Sequence, residues 1–215
     1  MKVFEIFSSI EGEGIRAGQL CTFIRFSGCN MRCNYCDTVY AQSKDVGTEM
    51  SVKEIVAKVR EISESKNVTI TGGEPLWRDH ADLVDLFRSL TAEGFWINVE
   101  TNGSMHVKPY AFPNVFFTVD YKSKSCGMNH MMNRDMFSLL RTIDVVKFVV
   151  GSEADMIDAM NFCKEQSIKA CVYVSPVYGQ IEMSDIVEFM KKYKLNWTLQ
   201  VQLHKIIWDP EMRGV

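Results

Sequence analysis

Short runs of β-branched and aromatic residues alternate along this chain with stretches whose apolar residues recur every three or four positions. The first kind predicts strands over Cys21 to Phe26, Val68 to Thr71, Phe95 to Glu100, Val115 to Asp120, Val145 to Val150 and Ala170 to Ser175, with a seventh over Thr198 to Leu203. The second kind begins at Ser51, where Ser51 and Glu54 form a capping-box pattern and Val52, Ile55, Val56, Val59 and Ile62 share one helical face. It returns after Asp79 (Leu83, Val84, Phe87 and Leu90, halted at Gly94), after Ser152 and after Ser184. Strands separated by helices imply right-handed crossovers and a mainly parallel sheet. One connection breaks the rule. Between Glu100 and Val115 the stretch TNGSMHVKPYAFPN has no helical period. The pattern therefore predicts an α/β fold, an incomplete (β/α) barrel with a sheet of about six strands and a reduced helix set. Ligands of such sheets gather at the C-terminal strand ends.

Composition narrows the class. With 215 residues, 47% of them hydrophobic, the chain can bury a sizeable core as a single domain over residues 1–215. A net charge of -3, with no Lys/Arg block, provides no field for gripping nucleic acid. The N-terminal MKVFEIFSSIEGEG lacks the pattern of a signal peptide, and no stretch reaches the ~20 apolar residues that span a bilayer, so no membrane association and a cytoplasmic location are expected. Seven cysteines, an odd number without an export signal, point to metal or redox chemistry rather than disulfides.

Three of them stand together as C-x3-C-x2-C, at Cys29, Cys33 and Cys36, on the loop leaving the first expected strand. A closed zinc or ferredoxin site takes four protein ligands; three leave one coordination position open, as a catalytic metal requires. Cys21, Cys163 and Cys171 read as small buried thiols. Cys126, the one distant candidate for a fourth ligand, reads as a bystander in a Gly/Ser-rich loop. At the end of the second expected strand lies TGGEP (Thr71 to Pro75), where Gly72 and Gly73 permit close backbone approach and Glu74 can accept a hydrogen bond from an ammonium.

Together the cysteine spacing and GGEP resemble the radical S-adenosylmethionine superfamily. The resemblance implies a 4Fe-4S cluster on Cys29, Cys33 and Cys36, its fourth iron chelated by S-adenosylmethionine, and one-electron cleavage of the sulfonium to a 5'-deoxyadenosyl radical. The longer stretch FSSIEGEGIRAGQLCTFIRFSGCNMRCNYCDT resembles the N-terminal signature of the 7-carboxy-7-deazaguanine synthase family, and QLHKIIW (Gln202 to Trp208) resembles its C-terminal one. The family pattern has Gln-Gly-Glu-Gly where this chain has Glu11-Gly12-Glu13-Gly14, so an acid replaces an amide.

The narrower resemblance implies ring contraction of 6-carboxy-5,6,7,8-tetrahydropterin with loss of ammonia, on the way to queuosine and related deazapurines. It implies substrate contacts at Ile10, Glu11, Gly12, Glu13, Arg25, Thr71 and His204. Arg25 suits the role on chemistry alone, because its forked donors match a carboxylate. Cofactor contacts are implied at Tyr35, Cys36 and Asp37, at Gly72, Gly73 and Glu74, and at Glu100 and Asn102. Two further groups are Tyr121, Lys122 and Ser123, and Ser175, Pro176, Val177 and Tyr178. Thr38 is implied as a ligand of Mg2+, an ion that shares its shell with substrate and water. Segment 1–40 would carry cluster and substrate, and segment 196–215 would close the site. A flavodoxin-like or ferredoxin electron donor and a homodimer complete the expectation; His80, His106 and His130 receive no role. Two other readings stay open at this point: a glycyl-radical-enzyme activating protein, with the same cysteine spacing, and a non-catalytic zinc or iron-sulfur electron-transfer module.

Overall fold

The computed structural model describes residues 1–210 and 212–215. The chain opens with a strand that the hydrophobic pattern does not announce, β1 (Lys2–Ile10). It runs antiparallel to β2 (Leu20–Phe26), from Val3 opposite Phe26 to Ile10 opposite Leu20. The two-residue β3 (Thr48–Glu49) covers only its first two residues. Most of β1 is half-buried, so its sequence shows no clean alternation of inside and outside.

Beyond β2 every pairing is parallel, through β4 (Asn67–Gly72), β5 (Trp96–Thr101), β6 (Val115–Tyr121), β7 (Val145–Val150), β8 (Cys171–Pro176) and β9 (Thr198–Leu199). The nine strands follow the order β3-β1-β2-β4-β5-β6-β7-β8-β9, and the end strands do not pair with each other. This is the incomplete barrel expected, extended by two antiparallel strands at one end. The seventh expected strand shrinks to Thr198–Leu199, although the Gln200 N–H still reaches the Val174 carbonyl at 2.9 Å.

Four helices cover the outer face: α1 (Val52–Ile62), α2 (His80–Ala92), α3 (Glu153–Gln166) and α4 (Met183–Tyr193). Ser51 and Glu54 close the expected box, the Ser51 hydroxyl accepting from the Glu54 N–H and the Glu54 carboxylate from the Ser51 N–H. Asp79 caps α2 and Ser152 caps α3 through their side-chain oxygens alone, without a reciprocal bond. Helix α4 starts one residue before Ser184, which lies inside it.

The β5–β6 connection holds only a 3-10 turn at Lys108–Tyr110, as its sequence implied. The β6–β7 connection also lacks an α-helix and consists of three such turns, at Lys124–Cys126, Asn129–Met131 and Arg134–Leu139. Two buried side chains there, Met136 and Phe137, do the covering that a helix would do; the Phe137 ring packs on Tyr121 and Phe162. Of the scattered cysteines, Cys21 and Cys126 are buried and Cys163 half-buried, but Cys171 is exposed at the start of β8 rather than buried. No helix among the described residues is long and apolar enough to cross a membrane.

Candidate active site

A strand shows alternate residues to opposite faces, and here the inner set is polar: Thr69 and Thr71 on β4, Asn98 and Glu100 on β5, Thr118 and Asp120 on β6, Lys147 on β7. All seven sit in strands that otherwise read as apolar. They line or underlie a cavity of about 710 Å3 at the C-terminal strand ends, a volume suited to small-molecule ligands.

The cluster loop borders this cavity. Cys29, Cys33 and Cys36 are free thiols, each half-buried, and all three line it. The Cys29 sulfur accepts from the Met31 N–H at 3.4 Å and from Asn102 Nδ2 at 3.8 Å, donors that suit a thiolate ligand. Three free thiols on one wall of the cavity suit a cluster that takes three protein ligands, although among the described residues they do not stand close enough together to hold a metal ion as they are.

The glycine pair holds that loop in place. A Cβ on Gly73 would lie 2.1 Å from the Gly28 carbonyl oxygen, and one on Gly72, where φ is +132°, would lie 2.2 Å from that of Phe26. Only hydrogens fit, and the closeness lets the Glu74 N–H reach the Gly28 carbonyl at 2.9 Å. Glu74 itself departs from expectation. Its carboxylate is fully buried and accepts from the Thr101 hydroxyl (2.7 Å), the Asn102 N–H (2.7 Å) and the Leu76 N–H (2.9 Å), so it ties β4 to the end of β5 instead of facing an ammonium.

Other expected contacts divide similarly. Gly72, Gly73, Glu100, Asn102, Lys122, Pro176, Val177 and Tyr178 line the cavity with Tyr35, Cys36 and Asp37. Three side chains do not. Tyr121 turns into the aromatic core between Phe137 and Phe162, with its hydroxyl bonded to Asp158, Asn129 and Arg134. Ser123 bonds Ser125, and the Ser175 side chain is buried behind the wall. These positions can serve a ligand only through their backbone.

The residues expected at the substrate all reach the cavity: Ile10, Glu11, Gly12, Glu13, Arg25, Thr71 and His204. Arg25 donates its Nε–H to Glu5 at 2.7 Å, which fixes the guanidinium and leaves its outer edge for an anion. Thr38 gives its hydroxyl proton to Asp37 at 2.8 Å, so its lone pairs remain free to meet a cation. His204 lies on a short helix, α5 (His204–Ile207), and not on a strand end. A Cβ on Gly12 would meet His204 Nδ1 at 2.9 Å, so the N- and C-terminal signatures are packed together. Burial holds the His204 imidazole below its usual basicity.

Electrostatics at the floor centre on Lys147, a residue the sequence motifs pass over. Its ammonium lies 3.0 Å from Glu13 and 3.2 Å from Asp120, which stands directly across from it in register. Lys122 takes the other Asp120 oxygen at 2.7 Å. Burial opposes the charge on Lys147, but Asp120, Glu13 and Glu100 overcome it and raise its basicity well above normal. Glu100 accepts the Thr71 hydroxyl at 2.8 Å, and burial pushes its acid form up. A lysine in the apolar run VVKFVV was the available signal, because buried lysines are rare unless paired.

This geometry has clear relatives. A profile of the Radical SAM superfamily matches residues 23–193. The 7-carboxy-7-deazaguanine synthase of Clostridium acetobutylicum is 47% identical over 100% of this chain and 99% of its own length. The protein of the same name from Methanospirillum hungatei is 36% identical over 98% of this chain and 86% of its own. The crystal structure of QueE from Escherichia coli superposes with a TM-score of 0.72 at 24% identity, covering 94% of this chain and 93% of that one, a likeness of fold. The chain thus belongs to the radical SAM superfamily and, within it, to the 7-carboxy-7-deazaguanine synthase family.

Proposed function

We propose that this chain converts 6-carboxy-5,6,7,8-tetrahydropterin into 7-carboxy-7-deazaguanine and ammonia by radical ring contraction. The observation that carries the reading is the convergence, in one cavity, of three free thiols, an arginine with an open anion-binding edge and the IEGE segment. Cys29, Cys33 and Cys36 would hold a 4Fe-4S cluster. When bound, that cluster and S-adenosylmethionine supply the hydrogen-abstracting radical. The chain does the rest by placement. Gly72 and Gly73 admit the cofactor's amino-acid end, Asn102 and Glu100 take its ribose, and Pro176, Val177 and Tyr178 flank its adenine.

On the substrate side, Arg25 would meet the carboxylate, and the Thr38 oxygen would offer one neutral ligand to a Mg2+ ion, whose charge would favour the same group. Backbone groups of Ile10 to Gly12 and the Thr71 oxygen face the pterin edge, with Glu13 paired to Lys147. Family likeness further supports a cytoplasmic homodimer that takes its electron from a flavodoxin-like or ferredoxin donor.

Anaerobic turnover with the pterin, S-adenosylmethionine and Mg2+, followed by mass spectrometry, tests the reading. The ring-contracted product is expected, and its absence sinks the proposal. Thr38→Ala is expected to lose stimulation by Mg2+; full, Mg2+-stimulated turnover in that variant would remove Thr38 from the metal site.

A further inference from the structure

Glu11 stands where the family pattern has glutamine, and its surroundings dictate the form it takes. The residue is 2% exposed. Its carboxyl Oε2 accepts the Thr69 hydroxyl. The direction of that bond is set by the other neighbours of Thr69. The Cys21 thiol, at 3.2 Å, and the Arg16 guanidinium, at 3.4 Å, both donate to the same hydroxyl oxygen, so the hydroxyl proton goes to Glu11. Oε2 is therefore the acceptor oxygen, and Oε1 is left for a ligand in the cavity that Glu11 lines.

Charge at the floor decides the protonation. Both buried ammonium groups are committed, Lys147 to Glu13 and Asp120, and Lys122 to Asp120. Arg16 spends its guanidinium on Asn67, on the Trp96 and Val68 carbonyls and on Thr69, and makes no ion pair with Glu11. The groups facing Glu11 are Glu13 on its own loop, Arg16 on the turn that follows, Cys21 on β2, Thr69 on β4 and Glu100 on β5; only Arg16 is a cation. Burial first, then the Glu100 charge, pushes the Glu11 acid up to about 7, against the Thr69 bond and the more distant Arg16.

We propose that Glu11 is a substrate-binding acid: its Oε1–H donates a hydrogen bond to a ring acceptor of the pterin, as a glutamine amide would, and ionisation abolishes that bond. The proposal rests on the substrate reading given above. An ionised Glu11 has no proton to donate and adds like charge beside a carboxylated ligand. Affinity must then fall with rising pH in this chain, where an amide at the same place would leave it unchanged.

The test compares the reconstituted wild-type enzyme with Glu11→Gln from about pH 6 to about pH 9. The wild-type KM for the carboxylated tetrahydropterin is expected to rise about tenfold per pH unit above about 7. The KM of Glu11→Gln should stay flat over the same range. Infrared difference spectra of the substrate-free proteins should show a carboxylic-acid carbonyl band in the wild type that disappears as pH passes about 7. Thermal unfolding supplies a third readout. A carboxyl raised on folding adds stability below its unfolded value, near about 4.3, and loses it as pH rises through about 7, so the wild-type midpoint should drop relative to Glu11→Gln across that interval. Parallel KM profiles in the two proteins, or an infrared band absent throughout, overturn the proposal. Failure of the wild type to form product at any pH overturns the substrate reading and the pterin bond with it, while the infrared band still reports the acid.

Discussion

Lys147 shows how one side chain organises the floor of the cavity. With its ammonium removed, Glu13 would lose its partner in a buried place and Asp120 would keep only Lys122. Breaking a buried ion pair from one side costs about 3–5 kcal/mol, so Lys147→Met should lower the unfolding free energy by that order, measured with urea. The loss should depend on pH with a definite sign. Burial alone would raise the Asp120 acid, but Lys122 and Lys147 overcome it and hold the carboxyl below its ordinary value. A group depressed on folding stabilises above its unfolded value, about 3.9, and ceases to do so as pH falls through the folded one. The gap between wild type and Lys147→Met should therefore narrow as the solution is acidified below about pH 4. At this scale the sequence was half legible. Motif residues such as Arg25 and Thr71 reach the cavity as expected, whereas Glu74 and Tyr121, equally motif-like, turn to structural partners. Motif membership marks where the backbone goes; the buried hydrogen bonds that claim a side chain come from strands distant in sequence.

Between elements, the tightest constraint lies where β4 ends against the loop leaving β2. Gly73 has no steric reserve there, since the atoms a methyl would meet are the backbone oxygen of Gly28 at 2.1 Å and the backbone nitrogen of Cys29 at 2.8 Å. Backbone cannot yield as a flexible side chain does, so Gly73→Ala should push the cluster loop outward at a cost of about 1–3 kcal/mol. Iron bound per chain after anaerobic reconstitution should fall severalfold, with helical circular dichroism retained, because α1 and α2 pack elsewhere. Element reading from sequence succeeded where caps and periodicity agree, as at Ser51 and Glu54. It missed β1 because a half-buried strand shows no clean period, and it missed the helix-free β6–β7 crossover because Met136 and Phe137 cover the core from 3-10 turns.

At the scale of the molecule, the open barrel needs a cover, and two distant parts of the chain provide it. The turn after β1 lies on one side, tied to the C-terminal part by the Leu203 N–H on the Gly12 carbonyl (3.2 Å) and Gln200 Nε2 on that of Gly14 (3.2 Å). Beyond α5, Pro210, Met212, Arg213 and Gly214 also line the cavity, and the Arg213 guanidinium rests 4.2 Å from the Tyr40 ring centre. The strand pattern foretold a deficient barrel and the family resemblance implied a closing segment at 196–215, but neither could say which groups would meet across the opening, since that depends on packing between the ends of the chain. Met212, Arg213 and Gly214 are exposed, so they contribute enclosure more than core. Removal of residues 212–215 should accordingly change unfolding free energy by no more than about 0.5 kcal/mol. The same truncation should raise the KM for the carboxylated pterin by about tenfold, equivalent to about 1.4 kcal/mol of lost binding. It should also let cofactor cleavage outrun product formation, because an open cavity admits water and holds the substrate less firmly. A truncated enzyme with unchanged KM and unchanged coupling of cleavage to product would show that the barrel closes without this segment.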